Sequence, residues 1–492
     1  MNPSTTPLAR RLLAATGAAA IAAASLLTAV SPASATPPTS GHIPPGLAKK
    51  AAADGTVPVL VELNVTTTST YVTKGSEQAA IVHARKDLVA SLGHRPAALK
   101  TSKTMPMVAF HATPEDLEAL DTAQTVESVI EDQEVELAGT TWNGSPAGQQ
   151  LPQQWDFKQI RANTATNNGY KGAGQLVAVI DTGVQANNPY LSGRVAYEAC
   201  FSTTTPGSGS NAGQCPNGTN VSYGAGASRP CAYSYSCSHG THVAHTAAGA
   251  YGVASGAKII AINAAHRGVD AKGNPAPLFY YSDMTWALNY VYGLKVNHGV
   301  KVAAVNMSIG GGNYTGYCDG VAHDGTTAPG LLGQWFDSLR SVGIAPVVSS
   351  GNDGQAAAVG APACFRSAIS VGNTTLTPNG VDAVYAGSNS NSTLDLLAPG
   401  TDICSAVPTN LDNDGTANGW QCGWIGTSMA APQVAGAIAV LRGYWPGSSI
   451  NQVERALKES GRGVYDSRNG ITRSRIDVWA GVNRLYQISK GA

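Results

Sequence analysis

The chain has 492 residues, room for two or three domains. Its formal net charge is zero and only 13% of its residues are charged, which excludes a strongly basic nucleic-acid or polyanion binder. Glycine is abundant, at 56 residues, as a fold with many tight turns requires.

The first stretch reads as an export signal, residues 1–35. Arg10 and Arg11 precede an alanine-rich apolar run from Leu12 to Val30, and Ala33-Ser34-Ala35 has the small-x-small form of a cleavage site. A membrane anchor is the competing reading, but the run is mostly Ala, Gly, Ser and Thr. The arginine pair leaves a twin-arginine signal open. No later stretch is long and apolar enough to span a bilayer, so no membrane partner is expected after cleavage. Cys200, Cys215, Cys231, Cys237, Cys318, Cys364, Cys404 and Cys422 all lie beyond this segment. An even number in an oxidising compartment defaults to disulfides, and the connectivity stays open. The preferred set is Cys200–Cys215, Cys231–Cys237, Cys318–Cys364 and Cys404–Cys422; no pair has the spacing of a zinc site.

Thr36 to Ala52, rich in Pro and Ala, reads as a linker into a first small domain that ends near residue 138. Val57–Leu63 reads as a strand, Ala79–Leu92 as a helix and Met105–Phe110 as a second strand. Thr113 with Glu115–Leu120 reads as a capped helix, and Val126–Ile130 as a last strand. The pattern suits a ferredoxin-like α+β sandwich. Its end is acidic, with Glu115, Asp116, Glu118, Asp121, Glu127, Glu131, Asp132, Glu134 and Glu136 and neither Lys nor Arg among them. That is either a solvated face or the surface of a pro-domain that must dock. Residues 139–154, rich in Gly, Pro and Gln, suit a cleavage linker.

From Trp155 onward, short β-branched runs alternate with helices. Leu176–Asp181, Lys258–Asn263, Val302–Ser308, Ala345–Ser350, Ala368–Val371 and Leu394–Ala398 read as strands. His239–Ala250, Ser282–Val296, Leu331–Val342, Ser428–Leu441 and Ile450–Glu459 read as helices. Such runs indicate an α/β fold whose parallel sheet is covered on both faces. Sites in such folds lie at the carboxyl ends of strands, where Asp181, Asn306, Ser308 and Gly351-Asn352 stand.

Gly426-Thr427-Ser428-Met429-Ala430-Ala431-Pro432 places a serine hydroxyl at a helix start, beside free N–H groups and the positive end of the dipole. Gly426 permits the turn, and Pro432 is expected in the first helical turn. Such a serine is more often an N-cap, an acid after a strand more often caps a turn, and a lone histidine is more often structural. Together, however, Asp181, His239 and Ser428 supply an orienting carboxylate, a base and a nucleophile. The Asp…His…Ser order is the one known from subtilisin.

On Asp181-Thr182-Gly183, His239-Gly240-Thr241-His242 and the Gly426–Pro432 stretch, the chain resembles the subtilisin-like serine protease family (subtilases). Asn306-Met307-Ser308-Ile309-Gly310-Gly311 is similar to the family's substrate-binding strand, and Ser350-Gly351-Asn352-Asp353-Gly354 to its oxyanion-hole segment. The resemblance implies a secreted endopeptidase in which Ser428 attacks, His239 is base then acid and Asp181 orients it. It implies that Asn352 and the Ser428 N–H hold the oxyanion. It implies a pocket for the residue before the cleaved bond, walled by Ser308-Ile309-Gly310 and Ser349-Ser350-Gly351. With no acid at its base, that pocket is expected to favour large apolar residues, with Asp353 at its rim. The first domain, residues 36–138, resembles the family's inhibitory propeptide, and protein and peptide substrates are the expected partners. The sequence departs from the family at His245, where glycine is usual, and at Tyr190, where many members carry a calcium-binding aspartate. The strong calcium site is therefore expected to be absent, with a weak one near Asp395 left open. No cofactor is expected to be required. A catalytically dead scaffold and an esterase are the rival readings; the elbow G-x-S-x-G is missing around Ser428.

Overall fold

Alternate residues of a strand face opposite sides of a sheet, and in the central strand Leu176–Asp181 both sides are apolar. Val177 and Val179 join one buried cluster, with helices His239–Ala248 and Thr427–Tyr444. Ala178 and Ile180 join the other, with helices Tyr281–His298 and Ala328–Ser341. A strand with two apolar faces needs a helical layer on each, which is why these runs show no polar alternation. The computed structural model describes residues 43–137, 141–142, 155–203, 215–270, 272–319, 328–412 and 418–491. The expected signal segment and most of the expected 139–154 linker lie outside the described residues. Among the described residues, no helix is long and apolar enough to cross a membrane.

The parallel strands run in the order Val195–Phe201, Lys258–Asn263, Leu176–Asp181, Val302–Met307, Ala345–Ser349, Ile369–Leu376, Leu396–Pro399 and Ile471–Arg475. Antiparallel strands Val221–Tyr223 and Arg462–Asp466 close the two edges. The interior strands and all five expected helices fall where the sequence places them, within a few residues. The strands Val195–Phe201 and Ile471–Arg475, each one in from an edge, were not expected, because polar residues interrupt them. The helix Val478–Ser489, started by the Asp477 cap, was also not expected.

Residues before 132 form a four-stranded antiparallel sheet in the order Ala97–Thr101, Met107–Ala112, Val57–Leu63, Val126–Glu131, with helices Gly75–Ser91 and Pro114–Thr122. This is the expected ferredoxin-like topology, with one more strand than the sequence suggested. The expected linker into it is partly a helix, Pro45–Asp54, which buries Leu47 and Ala51. One face of this sheet packs its own helices through Val59, Val61 and Phe110. The other, through Leu60, Met107 and Ala109, is buried in the cluster that includes Met284, Leu288 and Trp335 of the larger sheet's helices. The small domain thus shares a core with the larger one.

The four disulfides are those of the preferred set. Residues 204–214, within the loop expected between Phe201 and Ser236, lie outside the described residues. The two disulfides Cys200–Cys215 and Cys231–Cys237 staple its ends.

Candidate active site

Asp181 ends the central strand and His239 opens a helix, and Thr182 ties the two together. The Thr182 hydroxyl donates to the Cys237 carbonyl at 3.2 Å and accepts from Gly240 N–H at 2.9 Å. Asp181 Oδ1 accepts from Thr182 N–H at 2.7 Å. With the carboxylate so fixed, His239 Nδ1 lies 2.8 and 3.0 Å from its two oxygens, and both side chains are fully buried. The Cys231–Cys237 disulfide holds the short turn that leads into His239. The other ring nitrogen, Nε2, is buried and has no partner among the described residues.

Ser428 is the second residue of a helix whose residues Thr427 to Arg442 are all buried. Pro432 proves to lie in the second turn, not the first. It has no N–H to give to the carbonyl four residues earlier, which is that of Ser428. Ser308 supplies the missing donor: its hydroxyl donates to Ser428 O at 3.0 Å and accepts from Asn306 Nδ2 at 3.0 Å. In return, the Ser428 hydroxyl donates to Ser308 O at 3.3 Å. The Ser308 side chain is therefore engaged with the helix, and Ile309 is buried in the core. Only their backbone, with Gly310, remains to line a cleft.

Asn352 Oδ1 accepts from Thr427 N–H at 2.8 Å, and Nδ2 is left buried and unpartnered among the described residues. Gly351 before it has φ +107, and a Cβ there would come within 2.3 Å of Asn389 Nδ2. The Ser350 hydroxyl donates to Asn389 O at 2.8 Å, while the Ser349 hydroxyl is buried without a described partner. A cavity of about 510 Å³ is lined by Gly310, Ser349, Gly351, Asn352, Asp353 and Gly360 and by residues 133–137 of the first domain. Those residues lie along the cleft as an added strand. Glu134–Glu136 pairs antiparallel with Pro275–Tyr280, Gly310 N–H donates to Glu136 O at 3.2 Å, and Leu137 pairs with Ile309. Beyond, Thr141–Trp142 pairs with Ile425 and Trp424, just before Ser428. The sequence held no sign of this added strand beyond its acidic character.

The subtilase family model matches residues 172–475, which is more than half of the chain. The chain belongs to the subtilase family. It is a subtilisin-like serine protease, and its relatives bear that out. It is 28% identical over 368 residues to M-protease of Shouchella clausii, covering 74% of this chain and 76% of that one. It is 30% identical over 314 residues to the extracellular serine proteinase of a Thermus species, covering 63% of this chain and spanning 61% of that protein's length. In fold it matches fervidolysin of Fervidobacterium pennivorans, a keratinolytic enzyme related to subtilisin, with a TM-score of 0.61 at 20% identity. That match covers 87% of this chain and 61% of fervidolysin.

Both departures from the family pattern become intelligible together. The His245 ring occupies space that a Cβ on Gly249 would invade, at 2.0 Å. Its Nδ1 bonds Ser405 Oγ at 2.9 Å, and its ring meets Trp420 and Tyr190 edge-on. Tyr190 is thus part of an aromatic cluster beside the Cys404–Cys422 disulfide. The Asp395 carboxylate, where a weak calcium site was left open, does not fit that role. One oxygen holds Lys458 Nζ at 2.7 Å, and the other accepts from the Ser370 N–H and hydroxyl, both at 2.9 Å. Among the described residues, no group of three or more His, Cys, Asp or Glu side chains is arranged to hold a metal ion.

Burial pushes the His245 ring down from the ordinary 6.5 to about 3. Its folded pKa lies below its unfolded value, so unfolding takes up a proton between these limits and stability falls as pH drops from 6.5 towards 3. Between pH 7 and pH 4 this group should cost about 3 kcal/mol, at ~1.4 kcal/mol per unit. Denaturant unfolding of a Ser428→Ala background at both pH values should show that His245→Gln loses less stability than its parent across the interval. An equal loss would remove His245 from the acid response.

Proposed function

We propose that this subtilase is a secreted endopeptidase, made as a zymogen, that works through Asp181, His239 and Ser428 and an acyl-enzyme. The observation that carries the proposal is the Asp181–His239 pair, whose Nε2 has no described partner, beside the buried helix start that bears Ser428. His239 Nε2 takes the proton of Ser428 as its Oγ attacks the scissile carbonyl carbon. The tetrahedral oxyanion is held by Asn352 Nδ2 and the Ser428 N–H, one of the helix's first-turn donors without an intrahelical acceptor. His239 then returns the proton to the leaving amine, and a water activated in the same way releases the acid. Asp181 holds the ring by Nδ1 and stabilises the imidazolium. The disulfides and the apolar N-terminal run support action outside the cell.

Residues 36–138 act in this reading as an intramolecular inhibitor, because residues 134–137 fill the cleft in the manner of a bound peptide. Leu137 is held at Ile309 and Thr141 at Ile425, so the maturation cut falls between them, where the 139–154 cleavage linker expected from the sequence begins. Ser428→Ala should accumulate as uncut precursor, while the parent's new N-terminus should be one of residues 138–141. N-terminal sequencing and labelling with a serine-directed phosphonate check both. Normal maturation of Ser428→Ala in a protease-free host, or no labelling of the parent, would favour the inactive-scaffold reading.

Asn352→Ala should lower kcat by roughly 10²–10³, the loss known for the equivalent asparagine of subtilisin, with a much smaller change in KM. Steady-state kinetics on one chromogenic peptide reads this. A change confined to KM would take Asn352 out of the oxyanion site.

The cleft accepts large apolar residues before the cut bond, since Gly310, Gly351 and Gly360 among its lining leave it wide and burial of apolar area stabilises at roughly 25 cal/mol per Å². Asp353 lines the same cavity, is exposed, and accepts from Asn389 Nδ2 at 3.2 Å. Solvent screens such a rim charge, so it favours Lys only weakly. Values of kcat/KM should rank Phe and Leu above Lys and Lys above Glu, and Asp353→Asn should lower the Lys/Phe ratio about two- to fivefold. A strict Lys, Arg or Glu preference would overturn the wide-pocket reading, and an unchanged ratio would relegate Asp353 to its turn.

A further inference from the structure

The strand that fills the cleft brings a charged contact that hydrolysis does not use. Glu134 and Glu136 alternate outward around buried Val135. Glu134 stands opposite Tyr280 and Glu136 opposite Leu278. Glu134 Oε1 lies 2.7 Å from Nε2 of His266, whose side chain is only 1% exposed. The imidazole is stacked on Tyr280 at 4.2 Å with an interplanar angle of 12°, which fixes the direction in which Nε2 points. His266 opens the strand His266–Val269, paired with Pro275–Tyr280, and its carbonyl accepts from the Tyr233 hydroxyl at 2.8 Å. Its Nδ1 is buried without a described partner, so Nε2 is the nitrogen that meets the carboxylate.

Burial raises the Glu134 carboxyl, yet hydrogen bonds from His266 and Tyr280, with the charge of His266, bring it below its ordinary value. His266 and Tyr280 belong to the larger domain and stay when the first domain leaves. Lys50, which also acts on Glu134, leaves with it. The larger domain therefore holds a rigid polar pair at the far end of the cleft, aimed at a side chain of whatever strand is added there.

We propose that His266 and Tyr280 form a subsite for a carboxylate side chain of the substrate, at the position two residues before the one whose carbonyl accepts the Gly310 N–H. The inference rests on the peptidase reading above and extends it: the enzyme selects peptides with Glu at this remote position. A hydrogen bond to a charged group is about twice as strong as a neutral one, and it is made equally in ground and transition states. It therefore acts on KM more than on kcat.

The test uses enzyme matured from the full chain and peptides with the sequence of residues 130–142, carrying Glu, Gln or Lys at the position of Glu134. A fourth peptide, with Gln at the position of Glu136, controls for net charge. The Glu peptide should exceed the Gln peptide about tenfold in kcat/KM, mostly through KM, and the Lys peptide by more. The change at the Glu136 position should stay within about twofold. In His266→Gln the Glu/Gln ratio should fall close to one, and in Tyr280→Phe it should fall part of the way. Equal turnover of the three peptides by the parent overturns the subsite alone and leaves the pair as a docking contact of the first domain. An undiminished ratio in both variants overturns it as well. No turnover of any peptide overturns the peptidase reading and the subsite with it.

Discussion

The position of Ser428 depends on a carbonyl that its own helix does not satisfy. Pro432 removes the N–H that would close the second turn, inside a helix buried along most of its length. A buried carbonyl left unpaired costs about 1–3 kcal/mol, so a donor must come from elsewhere. It comes from Ser308, itself oriented by Asn306 at the end of the neighbouring central strand. Sheet and helix are thereby locked at the carboxyl end of the sheet. Thr427 N–H is tied to Asn352 in the same way from the next strand's loop. Two backbone groups freed near one helix start thus fix two side chains around it, Ser308 and Asn352.

Free N–H groups at a second helix start hold the first domain in place. The first N–H groups of helix Tyr281–His298 have no intrahelical acceptors. Tyr281 N–H donates to Gln133 O at 3.1 Å, and Ser282 N–H to Asp132 Oδ1 at 2.8 Å. Beside them Lys100 reaches Asp283 at 2.6 Å, both side chains almost wholly buried. Thr203 donates to the same carboxylate through its N–H and its hydroxyl, both at 2.9 Å. Burial raises Asp132 to about 6, against the pull of the Lys100 charge and the Ser282 bonds. Buried ion pairs contribute little net stability but penalise any other register, because a misplaced partner leaves a buried charge alone. Asp132 and Gln133 directly precede Glu134–Leu137, so these contacts lie next to the residues that run along the cleft.

The sequence by itself determined the alternation of buried runs and helices, the sandwich before them and the identity of Asp181, His239, Ser428 and Asn352 as the candidates for chemistry, while the cysteine connectivity it left open was decided by the structure. These are legible because periodicity and strand-end position are local properties of the chain. Strands such as Ile471–Arg475, one in from the sheet's edge, were not legible, because polar residues interrupt them and hide the apolar signature. The side-chain partners of Ser308 and Ser350 were not legible, since a hydroxyl on a strand end gives no hint of which distant backbone group it meets. Only the tertiary structure decided that His245 has room because Gly249 lacks a Cβ, that Asp395 is held by Lys458, and that Glu134 meets His266. Each joins residues whose spacing along the chain carries no period, and such contacts are set by packing rather than by local pattern.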